Sequence, residues 1–171
     1  MKAMAMVAHP DDCVIFAYSY MHNHSEYSWT VCYLTYLESD SRGQEFASFW
    51  RRRNVAVKFL GYHDDWHDIE NQRISFNKKH AQRDIELVIA DQDLLLTHDE
   101  NGDYGHIHHV FVNQCTQKHP QRITFAGPGR GTVKYSIEPG VYSLDEFPMH
   151  KDIVQSFHKD AHTNEYTLPR A

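Results

Sequence analysis

Residues 7–12 read Val-Ala-His-Pro-Asp-Asp and set one imidazole and two adjacent carboxylates at the end of the first apolar run. Pro10 fixes its own φ at about −65° and biases His9 towards extended backbone, so the turn is shaped before any ligand arrives. One imidazole nitrogen and one carboxylate suit Zn²⁺, and the second carboxylate can take a proton from metal-bound water. A second cluster follows about a hundred residues on, Thr97-His-Asp-Glu-Asn-Gly-Asp-Tyr-Gly-His-Ile-His-His109. His106 and His109 are three apart and share a face of the helix that would begin there, while His108 is turned off that face. If His109 joins His9 and Asp12, three protein ligands leave an open position, as in catalytic zinc sites. Asp11 is then free as a base. A protonated His106 beside the metal could polarise a carbonyl and give its proton to a leaving amine.

Elements must bring these clusters together. The pattern predicts strands at Lys2–Ala8, Trp29–Leu37, Asp93–Thr97, Arg122–Ala126 and Val133–Ile137. It predicts helices at Asp11–His22, Ser41–Gly61, Ser75–Ala90, His106–Lys118 and Asp145–His158, with an irregular stretch from Gly61 to Asn71 that has room for a short strand. Strand–helix alternation with such connections points to α/β architecture: a Rossmann-like three-layer sandwich with a mostly parallel central sheet. In such sheets the ligand site lies at the carboxyl ends of the strands. His9 follows the first strand and His98 follows the Leu94–Leu96 strand, so both clusters land on one edge.

The chain has 171 residues, 41% of them hydrophobic, which fits a single folded domain over residues 1–171. Its net charge of −6 argues against a nucleic-acid binder. Fourteen histidines, several of them among carboxylates, are the compositional sign of a metal. Cys13, Cys32 and Cys115 have neither CxxC spacing nor even pairing. No apolar run has the length of a membrane span, and a cytoplasmic location is the default expectation. Asp99–Asp103 fails as a calcium loop because Tyr104 stands where that loop needs Gly. His63-Asp-Asp-Trp-His67 and Arg51–Arg53 read as surface, Gly127–Gly131 as a plain turn, and His22, His24, His80, His119, His150 and His162 as surface histidines. Arg42, beside Gly43 after the second strand, and Asp68 are the candidates for contacting substrate.

AHPDD after a first strand, with THDENGDYGHxxH after a later one, resembles the zinc-dependent de-N-acetylases of the LmbE-like, or PIG-L, family. The resemblance covers residues 2–110, with a looser echo at Lys151–His158. It implies that His9, Asp12 and His109 are metal ligands, Asp11 the general base, His106 the acid or carbonyl-polarising histidine, and that Tyr104 closes over the substrate carbonyl. Three positions depart from the family pattern. Cys13 stands where the motif usually ends in Glu, His108 replaces an Asp or Asn, and Arg51–Arg53 have no obvious acidic partner. With His108 supplying no negative charge, the acid form of His106 should be lost at lower pH than in members carrying Asp. The implied activity is zinc-dependent removal of an acetyl or small acyl group from an N-acetylated amino sugar or its conjugate, with Fe²⁺ or Co²⁺ as possible substitutes. The alternative is a metal-binding domain of the same fold whose catalysis is impaired.

Overall fold

The structure is a computed structural model that describes residues 1–125 and 142–155. Among the described residues, five parallel strands, β1 (Lys2–Val7), β2 (Ser28–Thr35), β3 (Ala56–Tyr62), β4 (Leu94–Thr97) and β5 (Arg122–Thr124), lie in the order β3-β2-β1-β4-β5. The elements between them include helices α1 (Tyr18–Asn23), α2 (Ser41–Arg51), α3 (Trp66–Asn71), α4 (Lys78–Ile89), the short turn α5 (Gly102–Gly105) and α6 (Ile107–Thr116). This is the expected Rossmann-like sandwich.

The alternation of β1 explains the two layers of core. Ala3, Ala5 and Val7 face Phe46, Phe49 and Trp50 of α2, while Met4 and Met6 face Ala81 and Ile85 of α4 and Val112 of α6. All of these residues are buried. A strand buried from Ala3 to Val7 with apolar side chains on both faces is what a parallel sheet covered by helices requires.

Three expectations are corrected. The helix predicted over Ser41–Gly61 stops at Arg51, and Ala56–Tyr62 is a strand on the sheet edge. Asn54, with φ of 59°, makes the reversal, and Asn tolerates that left-handed conformation better than most residues. Val57 and Phe59 then alternate onto the core, which a helical reading of their spacing hides. The helix predicted from Asp11 opens instead as a π-helical turn at Cys13–Ala17 before α1. The stretch from Gly61 to Asn71 holds α3, capped by Asp65, whose Oδ1 accepts from the His67 amide at 2.9 Å.

The arginines do have acidic partners, supplied from a distance. Arg51 meets Glu38, and Arg53 donates to Glu146 at 2.8 and 2.9 Å. Glu146 sits in a 3₁₀ turn (Leu144–Glu146), where the sequence reading begins its last helix; residues 151–155 are helical. The Val133–Ile137 strand, the Gly127–Gly131 turn and His158 lie outside the described residues. Among the described residues, no helix is long and apolar enough to cross a membrane.

Gly43 in the first turn of α2 lets the chain before it fold back tightly. A Cβ there would lie 2.1 Å from the Leu37 carbonyl oxygen, a backbone atom that cannot swing aside. Alanine favours a helix interior by about 1 kcal/mol over glycine, but overpacking costs about 1–3 kcal/mol. Gly43→Ala should therefore lower stability despite its better propensity, read as a lower denaturant midpoint with unchanged slope.

Candidate metal centre and active site

The site forms where β1 and β4 end side by side. Thr35 Oγ1 donates to the Ala8 carbonyl and Thr97 Oγ1 to the Met6 carbonyl, each at 2.8 Å, so neighbouring strands hold the end of β1 and the start of the loop after it. Within that loop Asp12 Oδ2 accepts the His9 amide at 2.8 Å. The same oxygen lies 3.1 Å from His9 Nδ1 and 3.2 Å from His109 Nε2, and these two nitrogens are 3.2 Å apart. A tetrahedral ion with bonds of about 2.0–2.1 Å sets its ligand atoms about 3.3–3.4 Å apart, so this near-equilateral triangle has the size of a zinc face. Burial pushes the Asp12 carboxyl up, but His109 and His9 outweigh it and hold Asp12 well below the ordinary carboxylate range. Those residues could hold a divalent metal.

Two other buried histidines are near enough to compete, and their hydrogen bonds decide against them. His98 lies close to Asp12 and His109. Its Nε2 accepts the Ala8 amide at 2.9 Å, and its Nδ1 contacts Asp103 Oδ2, so neither nitrogen is left for an ion. Burial opposes charging of His98, while Asp103 and Asp12 favour it. The amide aimed at Nε2 needs a lone pair there, and the neutral ring with its proton on Nδ1 fits the geometry better. His106 Nδ1 accepts the His108 amide at 3.2 Å, capping α6. Its proton in the neutral form is therefore on Nε2.

Asp103 is the residue that the sequence reading missed inside its own second cluster. Its Oδ2 also receives His109 Nδ1 at 2.8 Å, which leaves the lone pair of His109 on Nε2, facing Asp12 and His9. To reach both rings Asp103 adopts φ of 62°, steadied by its amide donating to Asp99 Oδ1 at 2.8 Å. Gly102 next to it has φ of 68°, and a Cβ there would press on Val110 at 2.8 Å. Asp64 was missed because its segment read as surface. His63 and His67 are exposed, but Asp64 turns inward to 3.4 Å from His9 Nε2. Recognising β3 would have placed Asp64 at the same carboxyl edge.

A cavity of about 530 Å³ opens over His9, lined by Asp11, Arg42, Asp64, Tyr104 and His106. Asp11 Oδ1 receives Arg42 Nη2; Arg42 Nη1 donates to the Tyr36 hydroxyl at 2.8 Å, and Tyr36 donates to Asp64 Oδ2 at 2.9 Å. Arg42 thus faces the cavity with both terminal nitrogens engaged. Asp68 is not on the cavity wall. It is buried behind His108, accepting from His108 Nε2 at 2.8 Å and from the Ser75 amide at 3.0 Å. Cys13 is buried in the core, and burial with nearby Asp12 raises its thiol pKa well above the ordinary value, so it stays a protonated, apolar filler. A larger cavity of about 930 Å³ lies at the amino ends of the strands, around Tyr27, Trp29 and Lys58. Among the described residues, no comparable cluster of ligand atoms lines it.

The charge state of His106 follows from its surroundings. Burial, then His9 and His109, push its pKa down to about 3. These surroundings disfavour the protonated acid form expected of His106, and they do so through burial and like-charged neighbours rather than through the lack of an adjacent carboxylate. His108 itself lies between Asp64 and Asp68, so it is not short of negative charge. Second-layer carboxylates on ligand histidines are typically worth about 10–100-fold in metal affinity. Asp103→Asn should weaken zinc binding by a factor in that range, measured by competition with a chromophoric chelator, while circular dichroism stays native.

A family model described as PIG-L, GlcNAc-PI de-N-acetylase, matches residues 4–119. Curated protein sequences give no significant match. Among solved structures, a triple mutant of a deacetylase from the teicoplanin biosynthetic pathway superposes with a TM-score of 0.63 at 13% identity, covering 99% of this chain and 97% of that one. The zinc-inhibited form of the teicoplanin deacetylase Orf2 gives 0.61 at 11% identity, with 98% and 96% covered. GalB, the 4-carboxy-2-hydroxymuconate hydratase of Pseudomonas putida KT2440, gives 0.58 at 14% identity, with 100% and 98% covered. At such identities the structural likeness establishes the fold, whereas the family match spans more than half of the sequence. The chain belongs to the PIG-L family.

Proposed function

We propose that this protein is a divalent-metal-dependent N-deacetylase acting on an N-acetylated amino sugar or a conjugate of one. Family membership supports a deacetylase in general. The observation that carries the finer reading is the triangle of His9 Nδ1, Asp12 Oδ2 and His109 Nε2 beside the Asp11 carboxylate. A metal held there, with zinc favoured by two imidazoles and iron or cobalt as substitutes, would activate water and polarise the amide carbonyl.

The protein groups divide the remaining work. Asp11 takes the proton of the attacking water, and Arg42 holds its carboxylate in place from one side. Neutral His106 donates from Nε2 to the oxygen that becomes negative as the amide carbon turns tetrahedral. A neutral imidazole suffices for that, and the His108 amide on Nδ1 keeps the ring in the required tautomer. The proton captured by Asp11 is then the one available to the departing amine. Tyr104, half exposed at the rim and edge-on to His106, stands where it can close over the bound acyl group. The cavity has room for a sugar ring, and its polar rim of Asp64, Arg42 and Tyr36 suits hydroxyl groups.

The rival reading, a metal-binding domain with impaired chemistry, shares the metal but not the turnover. Acetate release from a panel of N-acetylglucosamine conjugates, with and without chelator, separates them. Chelator-sensitive release supports the proposal, and no release from any conjugate favours the rival. Asp11→Asn should retain metal yet lose about 10²–10⁴-fold in rate, the usual worth of a general base. His106→Ala should lose about 10²–10³-fold in kcat, as expected for one oxyanion donor, with metal content unchanged.

A further inference from the structure

We infer that a second divalent cation site adjoins the first, formed by His9 Nε2, Asp64 Oδ1 and His108 Nδ1, with the His9 ring bridging the two ions. The inference rests on the proposed use of His9 Nδ1 by the first ion. The three atoms are separated by 3.3 Å between the nitrogens, 3.4 Å between His9 and Asp64, and 3.5 Å between His108 and Asp64. They too match the edges of about 3.3–3.4 Å around a tetrahedral ion, and the three side chains form one cluster able to hold a metal.

Each donor is already oriented from behind. His108 Nε2 donates to Asp68 Oδ2 at 2.8 Å, so its lone pair is on Nδ1 and faces His9. Asp68 is fixed in turn by the amide and hydroxyl of Ser75 at 3.0 and 3.2 Å. Tyr36 donates to Asp64 Oδ2 at 2.9 Å, leaving Oδ1 for the site. A carboxylate behind the ligand histidine is the usual support in metal sites. His9 and Asp64 both line the cavity, so an ion can enter from solvent. Two imidazole nitrogens and one carboxylate oxygen favour zinc, copper, cobalt or nickel over magnesium or calcium.

In the one-ion state the His9 Nε2 proton lies between Asp64 and His108. The second ion takes the place of that proton, which leaves to solvent, and the His9 ring becomes an imidazolate between two dications. Without a second ion, the same contacts would merely orient His9.

Equilibrium dialysis of the metal-free full chain against zinc, with metal counted by mass spectrometry, tests the site. The native chain should reach two zinc ions, the second bound more weakly, and Asp64→Ala and His108→Asn should each stop at one. Asp64 is on the cavity rim, so its replacement leaves the core intact even if His108→Asn unfolds. A native chain that stops at one zinc, lost in His109→Ala, would overturn the second site and leave the proposed deacetylase centre standing. No bound zinc at all would overturn both. Two ions retained in Asp64→Ala would place the second ion elsewhere and overturn the assignment. With copper in both positions, the bridge should reduce the electron paramagnetic resonance intensity below that of two isolated ions. Full intensity would overturn the bridging role of His9.

Discussion

Five histidines, His9, His98, His106, His108 and His109, are buried together with Asp11, Asp12, Asp68 and Asp103 at one edge of the sheet. Such a cluster is tolerable in a low-dielectric interior only if its protons and lone pairs find partners. Asp103 carries much of that requirement. One of its oxygens serves both His98 and His109, and the opposite nitrogen of His98 receives the Ala8 amide from the loop after β1. The two loops are thereby joined through a single carboxylate and a single ring. Gly102 and Asp103 take left-handed backbone to allow it, strain that the surrounding hydrogen bonds must hold in place.

The same network separates charges by role. Asp12 and Asp103 lie among imidazoles, whereas Asp11 is paired directly with Arg42 on the cavity wall. His106 looks onto other histidines and caps α6, so its environment disfavours the charged form. Two histidines three residues apart in one motif therefore differ in state: His109 is backed by carboxylates and suits a cation, and His106 is backed by an amide and suits a neutral donor. A shared motif spacing conceals this difference.

The fold alone says little about chemistry. The same architecture appears in teicoplanin-pathway deacetylases and in a hydratase, each at low identity. Function has to be argued from the site that the fold carries. Here the carboxyl-edge placement brings the segments after β1, β2, β3 and β4 to one cavity, and the side chains on them set what the cavity can bind and activate.

The sequence by itself determined the parallel α/β class, the shared edge of the two clusters and the family. Those features depend on local signals: apolar runs with turn residues after them, and a motif whose members are near neighbours. That His9, Asp11, Asp12, Tyr104, His106 and His109 meet at one edge was legible for that reason. Only the tertiary structure decided the parts of Asp64, Asp68, His98 and Asp103. Each acts through a partner from another element or through an unusual backbone angle, and neither is encoded in residue spacing. Val57 and Phe59 show the same limit, because one apolar pattern fits helix or strand until the sheet edge beside β2 claims it. Arg53 and Glu146 show it too: 93 residues apart in sequence, they are paired only because packing brings their chains together.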